Sequence, residues 1–327
     1  MDKDPTVEVA KQYNAIVEDL LVCGHIDENT QRWAHTDTRD VRTHIYYHLP
    51  KVHKQLIKPS GRPIISGTNV PMEKLSQLID SWLQEYVSGL PSFEKDSTHM
   101  LNNIQEWNIQ YGPFEDIALV TFDITTLYTN IPHADMTEAL TYFLEQRNLG
   151  STPPADVLIK ATQHVLDNNY FKFEGQCYKQ VHGTTMGTPM LPAVANLFMG
   201  WLERKMLENS PVTLMQNQWK RFIDDIFVLW LGLQEDLQTF SQYLNTVHPI
   251  IKFTAASLQT EIPFLDILIK VRNGLLQTDL HTKPTDAHNY FHHLSAHPHH
   301  CKNSIPFSQF LWVRRLCSQD KDFRVCC

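Results

Sequence analysis

Arg221-Phe222-Ile223-Asp224-Asp225-Ile226-Phe227-Val228 is an apolar run broken at its centre by two adjacent acids. The apolar residues on either side predict two strands, and the Asp-Asp pair between them predicts a tight turn. A second run, Ile117 to Ile124, places Leu119, Val120 and Phe122 before Asp123 and reads as a buried strand ending on an acid. Carboxylates in such apolar settings are costly unless a partner stabilises them. A divalent cation is one such partner, because hard ions are often held by only two or three carboxylates. Ordinary turn chemistry is the other reading. The 101 residues between Asp123 and Asp224 do not choose between them.

Working outward, apolar side chains at helical spacing (Val9, Tyr13, Val17, Leu20) predict a helix over 5–24. A short strand is predicted over 62–67, after the Pro59-Ser60-Gly61 turn, and a helix over 71–90 with Leu75, Ile79 and Leu83 on one side. Helices are also predicted over 134–147, 154–168, 193–208 and 234–247, and Pro192 suits the first turn of the third. Phe171–Phe173 and Cys177–Lys179 read as a hairpin around Glu174-Gly175-Gln176. Lys252–Ala255 and Phe264–Val271 read as single strands, and the His-rich, basic stretch beyond 281 as a separate helical element. This order predicts an α+β fold, with helices on one face of a sheet.

Composition narrows the function classes. The chain has 327 residues, enough for two or three packed units. Hydrophobic residues make up 42% and charged residues 20%, which excludes a disordered or low-complexity chain. The longest strongly apolar stretch, Ile226 to Leu233, falls well short of the about 20 residues of a membrane span, so a soluble protein is expected. The polar start, Met1-Asp2-Lys3-Asp4, predicts no secretory signal. Six cysteines form no CxxC pair, so free thiols in a reducing compartment are expected, and the terminal Cys326-Cys327 does not match a prenyl box. A net charge of −8 disfavours a nucleic-acid coat. Yet Val41 to Arg62 holds Arg42, Lys51, Lys54, Lys58 and Arg62 and no acid, and local fields matter more than the sum.

Val120-Thr121-Phe122-Asp123-Ile124 through Tyr128 to Pro132 resembles motif A of reverse transcriptases. Gly183 to Met199, containing Met186-Gly187-Thr188-Pro189, resembles motif B, and Arg221 to Phe227 resembles motif C. Lys58-Pro59-Ser60-Gly61-Arg62 looks like the fingers motif that meets the incoming triphosphate, and Phe264-Leu265-Asp266-Ile267 like the primer-grip turn. Five motifs in the family's order are far more specific than one acidic pair. The flavour is that of Penelope-like retroelements, carried by Leu49 to Lys54, Leu127 to Pro132, Ile251 to Thr254, and Lys283-Pro284-Thr285-Asp286 through His297-Pro298 to Arg314-Arg315. The resemblance covers roughly residues 45–318.

The resemblance implies a right-hand polymerase fold with an antiparallel palm sheet backed by helices. Its segments would be an N-terminal helical extension over 1–44, fingers over 45–118, and a palm over 119–271 with an inserted fingers segment at about 133–182. A partial thumb with the His-rich basic tail would occupy 272–327. It implies an RNA-directed DNA polymerase that adds dNTPs to a DNA primer on an RNA template. Catalytic residues would be Asp123, Asp224 and Asp225. These, with the Ile124 carbonyl, would hold two Mg2+ ions, Mn2+ being the substitute. Lys58 and Arg62 would meet the triphosphate, Tyr128 would pack under the sugar and exclude a ribose 2′-hydroxyl, and Met186 and Gly187 would lie near the nucleotide. Lys51 and Lys54 would face template phosphates, and Lys252 is a candidate proton donor to pyrophosphate.

Two departures stand out. Met186 occupies a site where many relatives carry Gln, and Leu191 one where many carry Ser. The tail clusters His292, His293, His297, His299, His300 and Cys301, but no second Cys/His pair completes a structural zinc spacing. A GIY-YIG endonuclease segment, frequent in the resembled elements, is not found up to Cys327. No membrane partner is expected, and a nuclear location is implied by the resemblance alone. A truncated, non-catalytic nucleic-acid-binding remnant is the competing reading, and a metal-dependent phosphodiesterase a third.

Overall fold

The computed structural model describes residues 4–51, 57–146, 153–184, 186–214, 216–283, 286, 290–292 and 294–326. Lys54 and His293 lie outside the described residues. In chain order the elements begin with α1 (Thr6–Val22), α2 (Glu28–Ala34), β1 (His44–Pro50), β2 (Gly61–Ile65), α3 (Glu73–Ser88), α4 (Ser97–Tyr111) and β3 (Ala118–Ile124). Next come α5 (Leu127–Asn130), α6 (His133–Gln146), α7 (Ala155–Asp167), β4 (Tyr170–Phe173), β5 (Gln176–Lys179) and α8 (Leu191–Glu208). The chain continues with β6 (Trp219–Phe222), β7 (Asp225–Trp230), α9 (Gln234–Val247), β8 (Phe253–Leu258), β9 (Glu261–Phe264), β10 (Ile267–Arg272) and β11 (Leu275–Leu280). Two helices, α10 (His299–Leu316) and α11 (Asp320–Cys326), close the series. Among the described residues no helix is long and apolar enough to cross a membrane.

These elements gather into two compact units. The first comprises 1–90, 126–209 and 248–251; the second comprises 91–125, 210–247 and 252–327. In the first, a sheet of order β2-β1-β4-β5 pairs β1 antiparallel to β2 and parallel to β4. Helix α8 is buried around most of its circumference, as expected of an apolar helix that packs against both α3 and α6. Its start uses Leu191-Pro192, where proline costs no intrahelical hydrogen bond.

The second unit holds an antiparallel sheet of order β6-β7-β3-β8. Strand β7 is central, and Ile226 to Trp230 are all buried, so both its faces are covered. On one face Phe240 of α9 meets Phe122, Trp219 and Trp230 at ring-centroid distances of 6.4, 6.1 and 5.6 Å. On the other, Trp107 of α4 stacks on Phe227 at 5.7 Å, and Phe264 of β9 approaches it at 5.6 Å. Burying one such aromatic contributes roughly 1.5–3 kcal/mol. Cover therefore comes from α4 and the β11-β10-β9 sheet as well as from α9, where the sequence predicted helices on one face only.

Two local readings need correction. The predicted Asp-Asp turn is an Ile223-Asp224 turn, and Asp225 is already the first residue of β7. Phe264–Val271 is not one strand: β9 ends at Phe264, Leu265 takes a left-handed conformation (φ 54°), and β10 starts at Ile267.

Candidate active site

All three carboxylates lie at one end of the second unit's four-stranded sheet. Register places Asp123 of β3 directly opposite Asp225 of β7, and Asp224 occupies the adjoining turn. The Ile124 N–H donates to the Asp224 carbonyl oxygen at 3.2 Å, tying the motif A strand to the motif C turn. Ile223 precedes Asp224 with φ 57°. A β-branched residue there is a genuine outlier, and such strain costs about 1–3 kcal/mol where the surrounding structure imposes it.

The support beneath this turn was assigned no role from sequence. Arg221 is fully buried, and its Nη1 donates to the Ile223 carbonyl oxygen at 3.3 Å. Its backbone is clamped on the other side: Arg221 N–H donates to Ser92 O at 2.6 Å, and Glu94 N–H donates to Arg221 O at 2.9 Å. Burial pushes the Glu94 carboxyl up to about 8, and Asn103 donates to it at 2.7 Å. No spacing pattern links residues 92–94 to motif C, so only the fold exposes this clamp.

Asp123 and Asp225 face a cavity of about 330 Å3. Its walls come from β3, β7, β8, the β9–β10 turn and the segment after β11, including Leu265, His281 and Lys283. Asp225 keeps contact with water, yet the protein packed around it desolvates the carboxylate. That burial, then the charges of Asp224 and Asp123, push its pKa up to about 6, while Lys283 acts in the opposite direction. Like charges set directly opposite across strands destabilise the sheet.

Among the described residues no three His, Cys, Asp or Glu side chains already converge as a finished metal site. The donor set nonetheless fits a hard divalent cation. Three carboxylates crowd one strand end, and their mutual repulsion is what such an ion would neutralise. A stability prediction follows. A carboxyl whose folded pKa is raised binds its proton more tightly when folded. Its contribution is complete below the ordinary value of 3.8 and is lost as pH rises through about 6. In EDTA, Asp225→Asn is therefore expected to match the wild type near pH 4 and to melt higher at pH 7.5, by about 2–4 °C. Added Mn2+ is expected to raise the wild-type melting temperature more than the variant's. Thermal unfolding at both pH values checks this, and a variant that melts lower at pH 7.5 would refute it.

The remaining expected site residues belong to the first unit. Arg62 is exposed on β2, in register with Leu49, and Lys58 is exposed with φ 55°. Lys51 N–H donates to Ser60 O at 2.8 Å, closing the base of the basic hairpin. Tyr128 is half-buried in α5, and its carbonyl accepts from Thr184 N–H at 2.9 Å. The Met186 carbonyl accepts from Ile65 N–H at 3.2 Å, so motif B is pinned to β2. Gly187 follows at φ 134°. Leu191 is buried at the start of α8. In the second unit the Lys252 ammonium donates to the Asn245 carbonyl at 2.7 Å.

A two-faced antiparallel sheet carrying paired carboxylates at its hairpin end defines a right-hand polymerase fold, and comparison with known proteins agrees. Residues 50–259 match the family model described as reverse transcriptase (RNA-dependent DNA polymerase). This chain belongs to that family, whose members are nucleotidyltransferases. Residues 289–325 match a model described as an animal helix-turn-helix domain, which the sequence reading took only for a helical thumb element. Comparison with curated protein sequences finds no match. Among solved structures, a Candida tropicalis telomerase truncated from its C-terminal domain is similar over 72% of this chain and 55% of its own, with a TM-score of 0.56 at 11% identity. Candida albicans telomerase, solved with a fragment of telomeric RNA, is similar over 73% of this chain and 46% of its own, with a TM-score of 0.55 at 9% identity. An insertion-loop deletion mutant of a human picobirnavirus RNA-dependent RNA polymerase gives 72%, 46%, 0.50 and 13% for the same measures. These likenesses concern the fold, and the chain spans about half the length of the solved chains it matches.

Proposed function

We propose that this chain is the polymerase core of a Penelope-like retroelement reverse transcriptase, which adds dNTPs to the 3′-hydroxyl of a DNA primer on an RNA template. The observation that supports this best is the meeting of Asp123, Asp224 and Asp225 at one strand end beside an open cavity. In this reading Asp123, Asp224 and the Ile124 carbonyl hold two Mg2+ or Mn2+ ions, with Asp225 in support. Bound there, the ions would acidify the primer hydroxyl and neutralise the triphosphate. Arg62 pairs phosphate oxygens through its planar fork, and Lys58 adds a point charge. Tyr128 fills the space a ribose 2′-hydroxyl would need. Met186 and Gly187 line the nucleotide's side of motif B. The exposed Arg314 and Arg315 on α10 meet the phosphates of the primer–template duplex. A nuclear location is part of the same proposal, by analogy with elements that copy into chromosomes.

Primer extension on an RNA template tests the reading. The wild type is expected to incorporate dNTPs in Mg2+ or Mn2+ and to discriminate against rNTPs. Tyr128→Ala is expected to narrow that discrimination by about 10-fold or more. A wild type that binds primer–template but extends it with neither ion would instead support a non-catalytic binding remnant. Cleavage of labelled duplex without extension would indicate a phosphodiesterase.

A further inference from the structure

The active-site cavity is lined by a lysine that motifs A, B and C do not account for. Lys283 lies beyond β11, about 160 residues from Asp123 in sequence and outside the motif A, B and C runs, yet lines the same cavity as Asp123 and Asp225. Its backbone is anchored nearby, because His281 N–H donates to the Asp266 carbonyl at 2.9 Å in the β9–β10 turn. Among the described residues the Lys283 ammonium is exposed and forms no ion pair or hydrogen bond. It is close enough to Asp225 to favour that residue's ionised form.

A lysine so placed has two possible anionic partners. One is the carboxylate cluster itself. Once divalent ions neutralise that cluster, the ammonium gains nothing there and is repelled. The other is a phosphate entering the cavity. Walls from β8, β9 and the β9–β10 turn (Thr254, Ala256, Pro263, Leu265) offer mostly apolar surface, and Lys283 is the one Lys or Arg among the described lining residues. Lys58 and Arg62 are already proposed for the triphosphate. This leaves the nucleic-acid strand as the natural ligand for Lys283.

We infer that Lys283 is a positioning residue: its ammonium holds a phosphodiester near the primer's 3′ end and so seats the terminal hydroxyl beside Asp123 and Asp225. This rests on the polymerase reading above. It also gives the residue two opposed effects, since the same charge that attracts primer phosphate repels divalent cations from the carboxylates.

The full chain and its Lys283→Ala and Lys283→Arg variants test the inference. Binding of a recessed DNA primer on RNA template is measured by fluorescence anisotropy in EDTA, where no chemistry occurs. Lys283→Ala is expected to weaken binding about 10-fold and to reduce the salt slope by about one. Lys283→Arg should stay within about 3-fold of wild type, because the charge is kept. Binding of the unprimed RNA strand should not change. In primer extension, Lys283→Ala should raise the KM for primer–template while lowering the Mg2+ concentration needed for half-maximal rate. A merely structural role would impair both together. Unchanged primer–template affinity in Lys283→Ala, equal losses in both variants, or an effect confined to the KM for dNTP would overturn the inference. A wild type that binds primer–template but never extends it would sink the polymerase reading instead, while the anisotropy arm would still judge Lys283.

Discussion

Asp224→Ala is expected to lower nucleotide incorporation by about 10³-fold, equivalent to about 4 kcal/mol of transition-state stabilisation, with little change in folding. The two halves of this expectation have separate causes. Asp224 holds the turn through its backbone, because its carbonyl accepts from Ile124 N–H at 3.2 Å whatever the side chain. The Ile223 conformation is braced from below by Arg221, whose guanidinium reaches the Ile223 carbonyl, and that brace also survives. Removing the carboxylate takes one negative charge away from Asp225, whose proton affinity is raised partly by that charge. The metal-free variant should therefore unfold no earlier than the wild type. Its catalytic loss would come from one missing oxygen donor in a site where phosphoryl transfer depends on positioning and charge neutralisation. Single-turnover primer extension alongside thermal unfolding measures both halves. Incorporation within about 3-fold of wild type would remove Asp224 from the reaction.

The carboxylates were legible because their settings were extreme. A run such as Ile117–Phe122 that stops at an acid stands out, and β7 reads as a strand because apolar cover on both faces demands a nearly continuous apolar stretch. What the sequence hid was long-range or conformational. The break at Leu265 carries no turn residue, since leucine gives no warning of a left-handed φ, so two strands read as one. The opposite case is Asn273-Gly274. Both residues have positive φ and join β10 to β11, and this dipeptide is among the strongest hairpin signals. Strand β11 could have been read from it. Its omission also concealed the segment that carries His281 and Lys283 to the cavity. The Ser92–Glu94 clamp on Arg221 had no signal at all, because it is a contact across more than a hundred residues.

Gly187→Ala is expected to destabilise the protein by about 3 kcal/mol or more, even without any nucleotide present. The resemblance implies only that this glycine lies near the nucleotide. The structure adds a demand from the fold itself. Gly187 has φ 134°, and a Cβ there would press on the Ile65 carbonyl oxygen of β2, closer than real Cβ atoms come. The obstacle is backbone, so no side chain can swing aside. Nor can the strand retreat freely, because Ile65 N–H is bonded to the Met186 carbonyl at 3.2 Å. Gly67 faces the same crossing from the other side, since its Cβ would meet the Gly187 carbonyl oxygen. Gly175→Ala provides the contrast. That residue also has positive φ (81°), in the β4–β5 turn, but nothing lies within 4 Å of its added Cβ. Only the left-handed conformation opposes alanine there, at a cost of about 1–2 kcal/mol. Urea denaturation should thus rank wild type above Gly175→Ala and Gly175→Ala above Gly187→Ala. If Gly187→Ala unfolds with the wild-type midpoint and loses only nucleotide affinity, then the glycine serves the substrate and the contact with β2 places no demand on it.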